Sequence, residues 1–367
     1  MSENLFTDDF KDQPFWWDRT PRPQLADDPL PAKADVAIIG SGYTGLNAAI
    51  QTARSGRRTL VLDAEAAGWG CSSRNGGQVS TSLKTGYHQL VKTYGEKLGY
   101  EIAREGHTAL QWLGEHIENE GIDCDFKRVG RFYAAHSAAK YEWLANSLDQ
   151  PPEGLETRSY LVPRAEQHSE IGSDFYHGGI VHPHHASLDP ARYHQGLLEA
   201  ATGSGAQIVP NCRVTGLRRE ADGFELETEK GRLTTRDVIV ATSGYTGSLT
   251  PWHRCRIIPI GSYMIATEPL EDDLVAQLMP KGRVITDTRK LVVYYRVCPA
   301  HKRILFGARV AVSETDARAA APALHAELAR RFPQLQSRRI SHAWMGFVGY
   351  TFDSMPHLGA HDGLYYA

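Results

Sequence analysis

Apolar and polar positions alternate most legibly between residues 35 and 63 of the 367-residue chain. Asp35–Ile39 is a short Val- and Ile-rich run, the form of a buried parallel strand. Leu46–Ser55 has helical composition and Gly56 is a helix stop. Thr59–Leu62 is a second apolar run, closed by Asp63. Strand, helix and strand make one βαβ unit. Further on, Leu90, Val91, Tyr94, Leu98, Ile102, Leu110, Leu113 and Ile117 recur near helical spacing, which predicts a helix over 87–120. Gly121–Phe126 and Gly130–Ala135 read as strands. Residues 137–149 read as a helix ended by Pro151-Pro152. Asp189-Pro190 starts a helix reaching about Thr202, with Asp189 as N-cap. Gln207–Val209 and Asn211–Thr215 are short strands, Gly223–Thr228 with Gly231–Thr235 a hairpin, and Asp237–Gly244 a buried strand running into a turn. From Ile257 the chain is strand-rich, over 257–268, 284–287, 292–297 and 304–309. A helix at 314–331 and a strand at Ile340–Gly346 follow. This order predicts an α/β fold (α+β overall), a Rossmann-like dinucleotide domain joined to a second, mainly antiparallel β-sheet domain.

Composition narrows the picture. Lys and Arg number 40 against 43 Asp and Glu, a net charge of −3, so nothing points to nucleic acid or an anionic membrane. No apolar run reaches the ~18 residues of a spanning helix. The N-terminus lacks the layout of a signal peptide. Five scattered cysteines (Cys71, Cys124, Cys212, Cys255, Cys298) without a C-x-x-C pair indicate a reducing, cytoplasmic location. His182, His184 and His185 have no Cys or carboxylate at ligand spacing, so no metal site is expected. Residues 1–34 form an acidic arm. Its Phe15, Trp16 and Trp17 are too apolar for water, so the arm should pack across the body.

The chemistry sits in the first unit. Gly40, Gly42 and Gly45 have G-x-G-x-x-G spacing directly after a strand. Gly40 permits the turn, Gly42 lets backbone approach a pyrophosphate, and Gly45 lets helix pack on strand. Tyr43 and Thr44 lie in the first helical turn, whose N–H groups face the phosphates. Asp63 is placed to accept hydrogen bonds from a ribose diol. Gly68–Gly77 then holds four glycines in ten residues, marking backbone that passes close to something flat or bulky. Within it Ser72, Ser73, Arg74, Asn75, Gly76 and Gly77 form a second cofactor contact. These residues say "dinucleotide" and leave open which one.

The full order of motifs is Gly40-x-Gly42-x-x-Gly45, Asp63, Ser73-Arg-Asn-Gly-Gly77, Val214, Ala241-Thr242, Pro259-x-x-x-Tyr263-x-x-Ala266-Thr-Glu-Pro269, Tyr295-Arg296, Phe306-Gly307, Trp344-x-Gly346 and Pro356-x-x-Gly359. It resembles the FAD-dependent D-amino-acid oxidase, glycine oxidase and sarcosine oxidase superfamily, and is most like its gamma-glutamylputrescine oxidase-type members. The resemblance implies FAD rather than NAD. Asp63 stands where the family usually has Glu, with Ala64 beside it. Val214 matches the adenine-holding position, Ala241 and Thr242 the end of the second-half strand, and Cys71–Gly77 the run beside the flavin ring. The implied FAD-binding domain is discontinuous, over 35–86, 165–250 and 335–367. A substrate domain covers 87–164 and 251–334 and roofs the flavin. Tyr263, Tyr295, Arg296, Arg309 and Trp344 are the roof candidates, with Tyr263, Arg296, Arg309 and Trp344 taken as the catalytic set. Arg296 or Arg309 would clamp a substrate carboxylate; His182 and His342 are secondary candidates.

The implied reaction removes a hydride equivalent from a C–H beside an amine, leaves an imine to hydrolyse, and passes electrons to O2, giving H2O2. Gamma-glutamylputrescine-like amines, small secondary amines and amino acids are all candidate substrates. No cysteine lies between Trp344 and Pro356, where sarcosine oxidases attach FAD, so non-covalent FAD is expected. The position of those enzymes' oxygen-activating lysine falls near Leu305. In the family the final strand runs into a Gly-rich loop and a helix, so a chain ending at Ala367 is expected to be a C-terminally truncated form. The competing readings are a flavin dehydrogenase with another acceptor, an inactive flavoprotein-derived module, and an NAD dehydrogenase.

Overall fold

The computed structural model describes residues 5–26, 28–81, 83, 85–148, 152–298, 300–309 and 315–367. Pro151 and residue 314, part of two predicted helix boundaries, lie outside them, as do the first four residues of the arm.

Two large sheets organise the chain. In the eight-stranded sheet, Lys33–Ile39 lies between Thr59–Leu62 and Gly231–Val240, parallel to both. Gln207–Val209 extends it beyond Thr59–Leu62. These strands are covered on both faces, which is why they read as near-continuous apolar runs. Val36, Ile38, Val61 and Ile208 point into a core with Leu46 and Ile50 of the fingerprint helix (Tyr43–Arg54) and Leu197 of the helix Pro190–Gly203. Ala37, Ile39, Leu60 and Leu62 point the other way, against Phe224, Leu226 and Val238. Asp189 caps the Pro190–Gly203 helix as expected, its Oδ1 accepting from the N–H groups of Ala191 and Arg192 at 3.0 and 3.2 Å.

The nine-stranded sheet includes Ile258–Thr267, Val284–Asp287, Val293–Cys298, Arg303–Ala308 and Ile340–Tyr350. Its outer face packs on the helix Ala317–Arg331. Asp287 is fully buried there. Its carboxylate accepts from Arg289 Nε at 3.0 Å and Arg331 at 3.1 Å. Arg331 also donates to Glu327 and to the Tyr176 hydroxyl, and Tyr176 in turn receives the Tyr295 hydroxyl.

Several expectations need correction. Gly121–Phe126 forms no strand; Lys127 alone bridges to Ser187. The single helix predicted over 87–120 is two, Tyr87–Tyr94 and Glu96–Asn119, because Gly95 takes a φ of +81° that ends the first. The hairpin strand and the buried strand of the second half are one continuous strand, Gly231–Val240. The domain boundaries also shift. Gly179–His182 and Ile340–Tyr350, placed by sequence in the FAD-binding segments, hydrogen-bond into the nine-stranded sheet. The long helix, placed in the substrate segment, buries Ile117 against the fingerprint-helix core. In each case a long-range partner, invisible to local pattern, decides the layer. The arm packs across the body as a strand, Phe6–Lys11 beside Ile340–Tyr350.

Replacing Asp287 with Ala leaves a buried guanidinium short of an acceptor, which costs about 3–5 kcal/mol. A fall of that size in the unfolding free energy obtained from urea titration is expected, with the loss reduced in Asp287→Asn.

Candidate cofactor and substrate site

The fingerprint glycines have the geometry their spacing predicts. Gly40 sits at φ +107°, and a Cβ there would lie 2.7 Å from the Ala241 carbonyl oxygen. A Cβ on Gly45 would lie 1.9 Å from the Gly40 carbonyl oxygen, so only glycine lets the helix close on the strand. Gly42 caps the helix with no side-chain hydrogen bond, and its first turn holds no acid. The positive end of the helix is thus left for an anion. Ser72 Oγ accepts the Tyr43 N–H at 3.0 Å and brings the second Gly-rich loop against that turn. Asp63 is more committed than the sequence suggests. Its carboxylate accepts from Ser41 N at 2.8 Å, Ser41 Oγ and Glu65 N at 3.0 Å. With about four acceptor positions in a carboxylate, one remains for a ribose hydroxyl. The stretch leading to Val214 is tied to the same corner, since Cys212 N–H donates to the Asp63 carbonyl and Asn211 N–H to that of Glu65. Thr242 and Ala241 continue the Gly231–Val240 strand beside Gly40.

The loop Ser73–Gly77 is held by its carbonyls. Arg74 O accepts from Trp344 Nε1 at 2.7 Å and Asn75 O from Trp16 Nε1 at 2.8 Å. Gly77 O accepts from Leu188 N at 2.9 Å and the Arg296 guanidinium at 3.1 Å. Asn75 folds inward, its Oδ1 accepting the Gly77 N–H at 2.9 Å. Trp17 Nε1 donates to Ser73 Oγ at 2.8 Å. A cavity of about 420 Å³ opens beside the loop, lined by Tyr43, Asn75, Gly77, Gln78, Trp112 and Leu188 among others.

The catalytic candidates are not gathered together. Side chains alternate across a strand, and Tyr263 and Tyr295 fall on the outer face. Both are buried in the core beneath the helix, Tyr263 accepting the Thr315 N–H and Tyr295 donating to Tyr176. Arg296 and Trp344 are on the inner face, against the loop. Arg296 is no free clamp, because it is buried and donates to Gly77 O and Leu188 O. Arg309 lies one residue beyond the strand Arg303–Ala308. His342 is buried and paired with Asp18 of the arm at 3.0 Å. The inner-face residue missed by the sequence reading is Tyr294. Its ring lies where a Cβ on Gly76 or Gly307 would strike it, and its hydroxyl is 2.6 Å from Ser262 Oγ. Tyr294 stands two residues before Arg296, and strict alternation from Arg296 would have found it.

The residues present fit FAD. Arg22 of the arm and Arg74 both flank the Trp17 ring, at 5.9 and 5.0 Å. The Nε of each is buried without a hydrogen-bond partner. Burial pushes Arg22 down to about 10. Two under-satisfied guanidiniums near an uncapped helix N-terminus suit a diphosphate. Arg22, Trp16 and Trp17 were legible only as an arm too apolar for solvent.

Comparison with known proteins agrees with this arrangement. Residues 35–367 match the family model described as FAD dependent oxidoreductase (DAO). The chain is 30% identical over 338 residues to the gamma-glutamylputrescine oxidoreductase of Escherichia coli (strain K12), spanning 90% of this chain and 78% of that one. Its fold matches a glycine oxidase from Geobacillus kaustophilus with a TM-score of 0.74 at 18% identity, covering 92% and 89% of the two chains. An L-proline dehydrogenase from P. horikoshii gives 0.73 at 17% identity, over 92% and 88%.

Gly40→Ala adds a methyl at a left-handed position against the Ala241 carbonyl. Left-handed strain alone is worth ~1–2 kcal/mol. The flavin-to-protein absorbance ratio of the purified variant should therefore fall roughly tenfold or more.

Proposed function

This chain belongs to the FAD-dependent oxidoreductase (DAO) family, with FAD as its cofactor, and from that membership we propose that it oxidises a C–N bond of an amine or amino acid. Gamma-glutamylated amines are the leading class, since the E. coli relative carries gamma-glutamylputrescine in its name. When bound, FAD supplies the acceptor for a hydride equivalent, and electrons then pass to O2. Substrate, water and O2 become a carbonyl compound, the freed amine and H2O2.

The observation that carries the reading is the closure of the loop Ser73–Gly77 against the inner face of the nine-stranded sheet. Met264, Leu305 and Trp344 on that face are almost fully buried, packed with Phe15 and Trp16 of the arm, so the sheet face behind the loop is dry, as a site that holds a C–H bond in line requires. Asn75 and Gly77 line the adjoining cavity. Burial pushes the Tyr294 phenol up to about 12, and Ser262 only partly offsets this. Tyr294 therefore keeps its proton at neutral pH and acts as a hydrogen-bonding group, not a base. The amine must arrive neutral, because no inner-face residue described above is suited to deprotonate it. Val214 and Asp63 would hold the adenosine end, and Gly40, Gly42, Arg22 and Arg74 the diphosphate.

A second reading, transfer to an acceptor other than O2, is favoured by Leu305. That residue, near the register expected for the oxidases' lysine, is an apolar side chain with no exposure.

Anaerobic mixing with a panel of amines should bleach the flavin band with at least one of them; a panel that leaves the band intact removes the proposal. Under air, one H2O2 per amine consumed is expected, and a yield near zero with turnover on an artificial acceptor selects the second reading. Tyr294→Phe loses one hydrogen bond of about 1 kcal/mol, so flavin reduction should slow roughly fivefold while FAD is retained.

A further inference from the structure

A second cavity of about 350 Å³ lies away from the loop, walled by the long helix (His107, Leu110, Gln111) and by Thr81, Arg128, Glu156, His182, His184 and His185. Among the described residues no group of three or more His, Cys, Asp or Glu is arranged to hold a metal, so the histidines need another account.

Three observations describe what the cavity would take. First, Arg128 and Glu156 both line it, both are exposed to solvent, and neither makes an ion pair with any described residue. Arg128 reaches only the His184 carbonyl, at 3.5 Å, and the face of Phe126; Glu156 accepts only the Gly154 N–H, at 2.9 Å. A cation and a carboxylate that share a cavity without meeting are complementary to a zwitterion. Second, His185 is 97% buried in the wall and uncharged. Burial, with the nearby Arg131 cation, pushes it down to about 2, so the ring is neutral. The Thr81 N–H and hydroxyl both point at Nε2, at 3.3 and 3.0 Å. Nε2 is then the acceptor and the proton sits on Nδ1, which has no partner among the described residues. His185 therefore brings no charge of its own to the cavity. Third, the cavity is tied to the loop by a short ribbon, Gln78–Val79 paired with Ala186–Ser187. One end carries Gly77 and Leu188, the other Thr81 and His185. Four strand residues span roughly 13 Å and three roughly 10 Å.

The geometry points to a recognition site for the remote end of the substrate: an α-amino-acid zwitterion, its carboxylate at Arg128 and its ammonium at Glu156. This rests on the amine reading above, with the oxidised carbon at Asn75–Gly77. The eight bonds from that carbon to the glutamyl Cα of gamma-glutamylputrescine span roughly 10 Å when extended, the length of the ribbon. Plain diamines would fill the near cavity and leave this one without its charges.

Three amines sharing one reactive end separate the possibilities: gamma-glutamylputrescine, N-acetylputrescine and putrescine. On the FAD-loaded protein, kcat/KM for the first should exceed the others at least a hundredfold. Arg128→Gln and Glu156→Gln should each reduce that preference at least tenfold, through KM rather than kcat. Calorimetry with gamma-glutamylmethylamide, which has the head but no chain amine, should show binding weakened at least tenfold by either substitution. Equal use of the three amines, or a preference and a binding affinity untouched by both substitutions, would overturn the assignment. If no amine bleaches the flavin, the reading of the reaction fails, while calorimetry still decides the pocket.

Discussion

Three backbone carbonyls of one loop join the two sheets. The oxygens of Arg74, Asn75 and Gly77 are each taken by a side chain from elsewhere: Trp344 of the nine-stranded sheet, Trp16 of the arm, and Arg296 of the same sheet. The carbonyls of a loop that enters the interior outside any helix or strand need donors from elsewhere. Arg296 bridges two carbonyls, Gly77 and Leu188, from a buried position with no carboxylate among the described residues hydrogen-bonded to it. Its charge is met by dipoles and by the face of Trp16, 5.7 Å away. That arrangement fixes the distance between the dinucleotide fold and its roof.

The arm follows from the same requirement. It adds a strand to the nine-stranded sheet, buries Phe15 and Trp16 against Met264, Leu305 and Trp344, and sends Trp17 to Ser73. Arg19 then pairs with Asp189 and Asp125, the first of which caps the helix carrying Tyr193 and His194. The arm thus connects both sheets to the site, and its Arg22 is a cation that neither sheet provides.

The two faces of the nine-stranded sheet divide the work. The outer face is a packing face, with Tyr176, Tyr295, Asp287 and Arg331 linked beneath the helix Ala317–Arg331. Buried charge there is matched, because an unmatched ion in such a core would cost several kcal/mol. The inner face carries Met264, Tyr294, Arg296, Leu305 and Trp344 toward the loop. One residue of register separates an aromatic that serves the core from one that serves the site.

The sequence alone determined the dinucleotide unit, the two-sheet plan, the fingerprint glycines, the Asp189 cap and the family, with FAD as cofactor. These are short-range matters: a turn that only glycine can make, an alternation within one strand, an acid about twenty residues after a glycine. It went astray where the partner is distant in sequence. Tyr263 and Tyr295 read as roof residues because an aromatic near an arginine looks alike on either face, and only the helix packed over one face shows which is which. Gly121–Phe126 is apolar enough for a strand but finds no ladder, and Ile340–Tyr350 joins the sheet that offers it edges on both sides. The two carbonyl-bound tryptophans, the Tyr294–Ser262 pair and the far cavity exist only once those layers meet. Hydrogen bonds between residues 16 and 75, 74 and 344, or 81 and 185 leave no periodic trace in the chain, because their geometry is set by packing rather than by spacing.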